Sequence, residues 1–276
     1  MKLSLSEIST IGASFEDDVA AYAEAGFDGI GIWEFKLPED DHANIALLRE
    51  AGLEVATCVP TVPSFLPLGI PGLEGPPDPG ERVEALSASM RRLARYKPES
   101  VLCLTGPGEG PEQWNLAVDG LRTVAAAAHR AHVRLGLEPS HPAQRDTVSF
   151  VNTISDALEM LEIAGLPDVG VMADTYHLWN ESPEQLALIA NRVTGLHVAD
   201  VPAEPDRADR ALPGETGRRA SVFLRALVDA GWDGFVDVEI FSTPARFWGL
   251  SVDDAAARAY AAASALVQSV PSKLLP

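Results

Sequence analysis

Residues 230–239 read AGWDGFVDVE, and residues 25–34 read AGFDGIGIWE. Both stretches have one order: Ala-Gly ends a helix, Asp-Gly makes a turn, and an apolar run closes in a glutamate, Glu239 or Glu34. The helix-ending signal recurs at Ala51-Gly52 and Ala164-Gly165. Outward from these points, strand-like and helix-like segments alternate along the chain. Strands are expected over 3–8, 29–33, 54–59, 100–104, 134–138, 170–174, 195–199 and 234–240. The clearest helical periods cover 82–95, 112–132, 150–164, 183–192, 220–230 and 253–268. Eight strand-then-helix units in order argue for an α/β chain folded as a single (β/α)8 TIM barrel. The absence of Gly-x-Gly-x-x-Gly after the first strand argues against an open doubly wound sheet.

A length of 276 residues suits one barrel domain over 1–276. Residues 62–80 break the rhythm with six prolines and four glycines after the third strand. A loop of this length on the functional face of a barrel reads as a lid or pocket wall.

Hydrophobic residues make up 46% of the chain, ample for a core. Lys and Arg total 21 against 40 Asp and Glu, a net charge of −19. Such a field repels phosphate backbones and anionic membranes, so neither nucleic acid nor a membrane is an expected partner. Cys58 and Cys103 fall inside strand-like runs and read as buried thiols, with no disulfide framework. The opening MKLSLSEIST lacks the apolar core of a signal peptide, and no apolar run approaches a membrane span. The expected location is cytoplasmic; whether the chain forms a homo-oligomer stays open.

Four residues close successive strand-like runs in the second half: Glu138 in RLGLEPS, Asp174 in VGVMADTYH, His197 in VTGLHVAD and Glu239 in GFVDVEIF. In a barrel the functional groups gather at the carboxyl ends of the strands. Three carboxylates and one imidazole there form a hard, mostly oxygen site for one divalent cation. With His197 pointing inward, Gly195 and Ala199 share its face, and Gly136 lies on the face of Glu138. These small neighbours are expected to leave room for a cation and a substrate. Asp237 also points inward, and a carboxylate at that depth needs a buried partner or a raised pKa. His177 begins the loop after Asp174 and reaches towards the same cavity. Trp33, Phe65, Trp114, Trp179 and Phe241 are candidate pocket walls, with Trp179 placed to stack on an apolar sugar face. By the repeat, Glu34 belongs at the same end of the barrel as Glu239 and is a candidate for binding a distal substrate hydroxyl.

The segments LEP, ADTYHLW, LHVADV, DRALPGE and GFVDVEI, in this order, resemble the xylose-isomerase-like family of sugar isomerases and epimerases. That superfamily also contains endonuclease IV, and the resemblance covers essentially the whole chain. It implies that Glu138, Asp174, His197 and Glu239 ligate one divalent ion, Mn²⁺ first, with Mg²⁺, Co²⁺ or Zn²⁺ as alternatives. It further implies that Glu138 and Glu239 double as catalytic proton-transfer groups, that His177 hydrogen-bonds the substrate, and that Arg210 holds substrate hydroxyls or a negative group. Arg207 competes with Arg210 for that last role.

These parts specify proton abstraction next to a carbonyl, through a cis-enediolate, in a metal-dependent isomerase or epimerase of a sugar or sugar-like keto compound. A lyase or dehydratase acting on a keto-cyclitol or related polyol would use the same metal site. A non-catalytic binding barrel is a more distant reading. An endonuclease IV-like phosphodiesterase is disfavoured by its own resemblance: the third and fourth strands offer Cys58 and Cys103 without histidine, and its DRH triplet reads Asp209-Arg210-Ala211 here.

Overall fold

In the computed structural model, residues 1–70, 73, 75–202, 209–217 and 219–270 are described. The strands are β1 (Lys2–Ser6), β2 (Gly29–Trp33), β3 (Glu54–Val59), β4 (Ser100–Cys103), β5 (Leu135–Leu137), β6 (Gly170–Asp174), β7 (Val193–Val198) and β8 (Phe235–Val238). They close in chain order into one parallel barrel, with β8 returning to β1 in the register Leu3↔Val236 and Leu5↔Val238. Around it run α1 (Phe15–Ala25), α2 (Asp41–Ala51), α3 (Pro79–Leu93), α4 (Gly110–Ala131), α5 (Ile154–Ala164), α6 (Pro183–Leu188), α7 (Ala220–Asp229) and α8 (Val252–Gln268). This is the (β/α)8 architecture that the alternation of segments specifies.

The strands are buried on both faces, as all five residues of β2 show, because helices cover the outside and side chains fill the inside. Between sheet and helices lie Leu5, Ile30, Leu86, Leu121 and Phe223, each fully buried. Gly26 ends α1 at φ 98° and Gly52 ends α2 at φ 74°; both adopt the left-handed turn that the Ala-Gly signals announce. These two eleven-residue helices are not among the clear helical periods of the sequence, since each offers only a short apolar stripe behind an acidic first turn.

Several glycines that the alternation places inside the barrel make room for the barrel's own side chains rather than for a ligand. A Cβ on Gly195 would stand 2.7 Å from Met172 Sδ, one on Gly136 would collide with Thr194 Oγ1, and one on Gly31 with Asp237 Oδ2. At these three positions the space is filled by the barrel's own side chains.

The proline-rich loop forms a wall. Phe65 and Leu66 donate backbone hydrogen bonds to Leu104 and Thr105, and Gly69 donates to Thr147 at 2.7 Å. Arg82, buried in α3, holds the loop from beneath through Ser64 O (2.9 Å) and Ser64 Oγ (2.7 Å). Cys58 and Cys103 are buried and free. Among the described residues, no helix is long and apolar enough to cross a membrane.

Candidate functional site

Register brings the acidic strand ends together. Asp174 on β6 pairs with His197 on β7, and His197 with Asp237 on β8. The residues after β5 and β8 keep the ladder going, with Glu138 N bonded to Cys103 O (3.0 Å) and Glu239 N to Val198 O (3.2 Å). Glu138 and Glu239 therefore project from the same rim as Asp174 and His197.

Glu138, Asp174 and His197 each offer a ligand atom, and the three atoms lie within 4.8 Å of one another. Nδ1 of His197 is 3.8 Å from Glu138 Oε1 and 3.4 Å from Glu239 Oε2. All four residues are buried. His197 Nδ1 and Glu138 Oε1 have no hydrogen-bond partner. A buried polar atom left unpaired costs about 1–3 kcal/mol, so converging orphans of this kind mark a place completed by something further. Carboxylate oxygens with one imidazole nitrogen suit a divalent cation of the Mn²⁺, Mg²⁺, Co²⁺ or Zn²⁺ group.

Glu239 stands beside this trio and is engaged by a cation of the protein. Arg210 Nη1 donates to Asp174 Oδ2 at 2.9 Å and to Glu239 Oε2 at 2.8 Å. The guanidinium lies between the rings of Tyr176 and Phe241, at 4.5 and 4.7 Å from their centroids. Arg210 N bonded to Phe241 O (2.8 Å) fixes the loop against the end of β8. Asp174 keeps its other oxygen on Tyr176 N at 2.8 Å. His177 Nε2 is 3.6 Å from Asp174 Oδ2 and 3.4 Å from Arg210 Nη2.

The shared burial splits these groups electrostatically. Desolvation pushes the Glu138 carboxyl up to about 8, with Asp174 and Glu239 adding to the rise. Burial acts on Glu239 in the same sense, but the charges of His197 and Arg210 overcome it and hold that carboxyl at about 2. Burial lowers His177 to about 4, which leaves it neutral. His197 is raised well above its ordinary value, since Glu239 and Asp237 outweigh its desolvation.

Above this floor opens a cavity of about 400 Å³. Glu138, His177, Arg210 and Glu239 form its base, and Trp33, Phe241 and Trp248 stand in its walls with residues of the 62–80 loop. Trp33 thus lines the cavity, as its place at the end of β2 suggests. Glu34 does not: its Oε2 accepts from Ser89 Oγ (2.6 Å) and Thr61 N (3.0 Å), and its Oε1 lies 3.7 Å from Arg92. Trp179 is also absent from the walls, being stacked on His141 with centroids 5.4 Å apart. Phe65 packs in the core and Trp114 on Phe150. Arg207 lies outside the described residues. Sequence reading missed Trp248, Gln144 and Thr147 as wall residues; an aromatic pair, Phe247-Trp248, in the loop after β8 was the available signal.

Asp237 has its partner in His197, whose Nε2 lies 3.6 Å from Oδ2. Neither carboxylate oxygen of Asp237 has a hydrogen-bond partner at this separation.

The family model described as xylose isomerase-like TIM barrel matches residues 19–266. Over 262 residues the chain is 25% identical to a 3-dehydroshikimate dehydratase of Pseudomonas aeruginosa; the match takes in 88% of this chain and 38% of that protein's length. Among solved structures, the IolI protein with a bound zinc atom superposes at a TM-score of 0.80 and 21% identity, covering 99% of this chain and 100% of that one. A 3-keto-D-glucoside 4-epimerase of E. coli superposes at 0.73 and 18% identity, covering 97% and 99%. At these identities the structural likeness shows the fold alone.

Proposed function

The chain belongs to the xylose isomerase-like TIM barrel family, and from that premise we propose a divalent-metal-dependent isomerase or epimerase acting on hydroxy-carbonyl compounds of sugar-like type. The observation that supports it is the meeting of Glu138, Asp174 and His197 within 4.8 Å, with unpaired buried ligand atoms, where Glu138 and Glu239 line the floor of a cavity. Glu138, Asp174, His197 and Glu239 would hold the ion, and manganese is the first to test. An ion bound there would polarise a substrate carbonyl and so lower the cost of removing the proton from the carbon next to it.

The chain's own residues then divide the work. Glu138 and Glu239 would form the proton-transfer pair, one taking the proton from carbon and the other returning it. Neutral His177 hydrogen-bonds the substrate beside them. Arg210 holds Glu239 in place and offers its guanidinium edge to substrate oxygens. Return of the proton to the neighbouring carbon gives isomerisation, and return to the other face of the same carbon gives epimerisation.

The match to the dehydratase favours a second reading, loss of a β-hydroxyl from a keto-cyclitol-like substrate at the same site. Incubating the Mn²⁺-loaded protein in D₂O with ketoses, keto-cyclitols and other hydroxy-ketones tests both. Deuterium entering the carbon next to the carbonyl, abolished by Glu239→Gln, supports the isomerase or epimerase. A new conjugated double bond with release of water supports the lyase. Exchange that survives in Glu239→Gln contradicts the role given to Glu239.

A further inference from the structure

Resting on that reading, we infer that the substrate joins a hydroxy-carbonyl head to an apolar, ring-bearing body, and is neither a free polyhydroxylated sugar nor a sugar phosphate. The polar groups of the cavity are concentrated at its floor. Among the described residues its walls are mostly aliphatic and aromatic, with Leu68, Ile70, Leu102, Trp33, Phe241 and Trp248.

The two tryptophans present ring surface and keep their N–H groups elsewhere. Trp33 Nε1 donates to Ser6 Oγ at 3.0 Å; Trp248 Nε1 donates to Ile8 O at 2.8 Å and Ile240 O at 3.1 Å. The wall hydroxyl of Ser242 is committed to Asp209 at 2.6 Å. Among the described residues, the other polar side chains on the walls are Thr61, Gln144 and Thr147, with Gln144 Oε1 buried and unpaired. One amide and two hydroxyls leave most hydroxyls of a hexose facing leucine, isoleucine or indole. There they would lose their water partners without replacement.

A phosphate fares no better. Arg210 is the one cation among the described residues lining the cavity, and the carboxylates of Asp174 and Glu239 beside it offset its charge and oppose a dianion there. An apolar ring, by contrast, gains from contact with these walls. The aromatic surface continues towards solvent, since partly exposed Phe35 meets Trp33 edge to face at 5.7 Å. The body therefore extends from the floor along Trp33, Phe241 and Trp248 to the mouth.

The test uses two probes with one head. 2-Hydroxyacetophenone and dihydroxyacetone share a hydroxymethyl ketone and differ in carrying a phenyl or a second hydroxymethyl group. Their affinities are measured by calorimetry or ligand-observed NMR on the protein with and without Mn²⁺, with fructose and fructose 6-phosphate alongside. We expect the phenyl compound to bind at least about tenfold tighter than dihydroxyacetone and both sugars. Ile70→Gln, a half-buried wall position, should shrink that preference at least about threefold without moving Tm or Mn²⁺ content. A phenyl compound bound no tighter than dihydroxyacetone, whether both bind or neither does, overturns the inference. So does tighter binding of either sugar, or a preference unchanged in Ile70→Gln. Failure to bind Mn²⁺ counts against the proposed function instead, because the phenyl preference is still read on the metal-free protein.

Discussion

Asp237 Oδ2 lies 3.6 Å from Nε2 of His197, while Nδ1 of the same ring faces Glu138 and Glu239. The buried carboxylate thus stands behind the imidazole, on the side away from the ligand cluster. Metal-binding histidines commonly rely on such a partner, whose loss costs roughly 10–100-fold in metal affinity. We therefore expect Asp237→Asn to keep the fold by circular dichroism and to weaken Mn²⁺ binding by about that factor. Affinity equal to wild type would show that His197 is oriented by other contacts.

Arg210 carries the second relationship, bridging Asp174 and Glu239 from within the site. Removing one partner of a buried ion pair leaves the other charge uncompensated, at a cost of roughly 3–5 kcal/mol. Arg210→Met should lower the Tm of the metal-free protein, and added Mn²⁺ should raise the variant's Tm by more than it raises wild type. An equal metal-induced rise in both proteins would mean that Arg210 and the cation do not compensate the same carboxylates.

A third expectation concerns a charge cluster at the ends of β1 and β2, behind the cavity wall formed by Trp33. Glu7 is fully buried, accepts from Trp33 N at 2.8 Å and has no partner for Oε1. Lys36 gives its hydrogen bonds to Asp18 and to the carbonyls of Glu7 and Thr10. Burial pushes the Glu7 carboxyl well above the ordinary range, against the pull of Lys36. A carboxyl that holds its proton more tightly when folded lends stability below its unfolded value, about 4.3, and that stability is lost as pH rises towards the folded value. Glu7→Gln mimics the protonated form. Its Tm should stay near wild type at pH 4 and exceed it at pH 8. A Tm below wild type at pH 8 would show that the ionised form is the stabilising one.

Much of this was legible in the chain. Apolar runs ending in Glu138, Asp174, His197 and Glu239 located four strand ends, because barrel topology leaves the strand's own alternation to decide which side chains point inward. The repeat that aligned Glu34 with Glu239 misled at the level of side chains. Both follow β-strands, yet Glu34 is drawn to Ser89 on α3 and the Thr61 amide, partners that no local pattern reveals. The same limit applies to Trp179, claimed by His141, and to Asp237, whose neighbour lies 40 residues away in sequence. The helices α1 and α2 were announced by their Ala-Gly ends but not by a clear period, because their apolar stripes are short and packing on the barrel supplies the rest.

The most direct test of the metal site is elemental analysis of the wild-type protein beside an Asp174→Ala/His197→Ala double variant, both reconstituted with Mn²⁺, Co²⁺, Mg²⁺ and Zn²⁺ in turn. About one equivalent of a divalent ion in the wild type, lost in a variant that stays folded, is the expected result. No bound ion in the wild type under any of the four conditions, or the same content in both proteins, would contradict it.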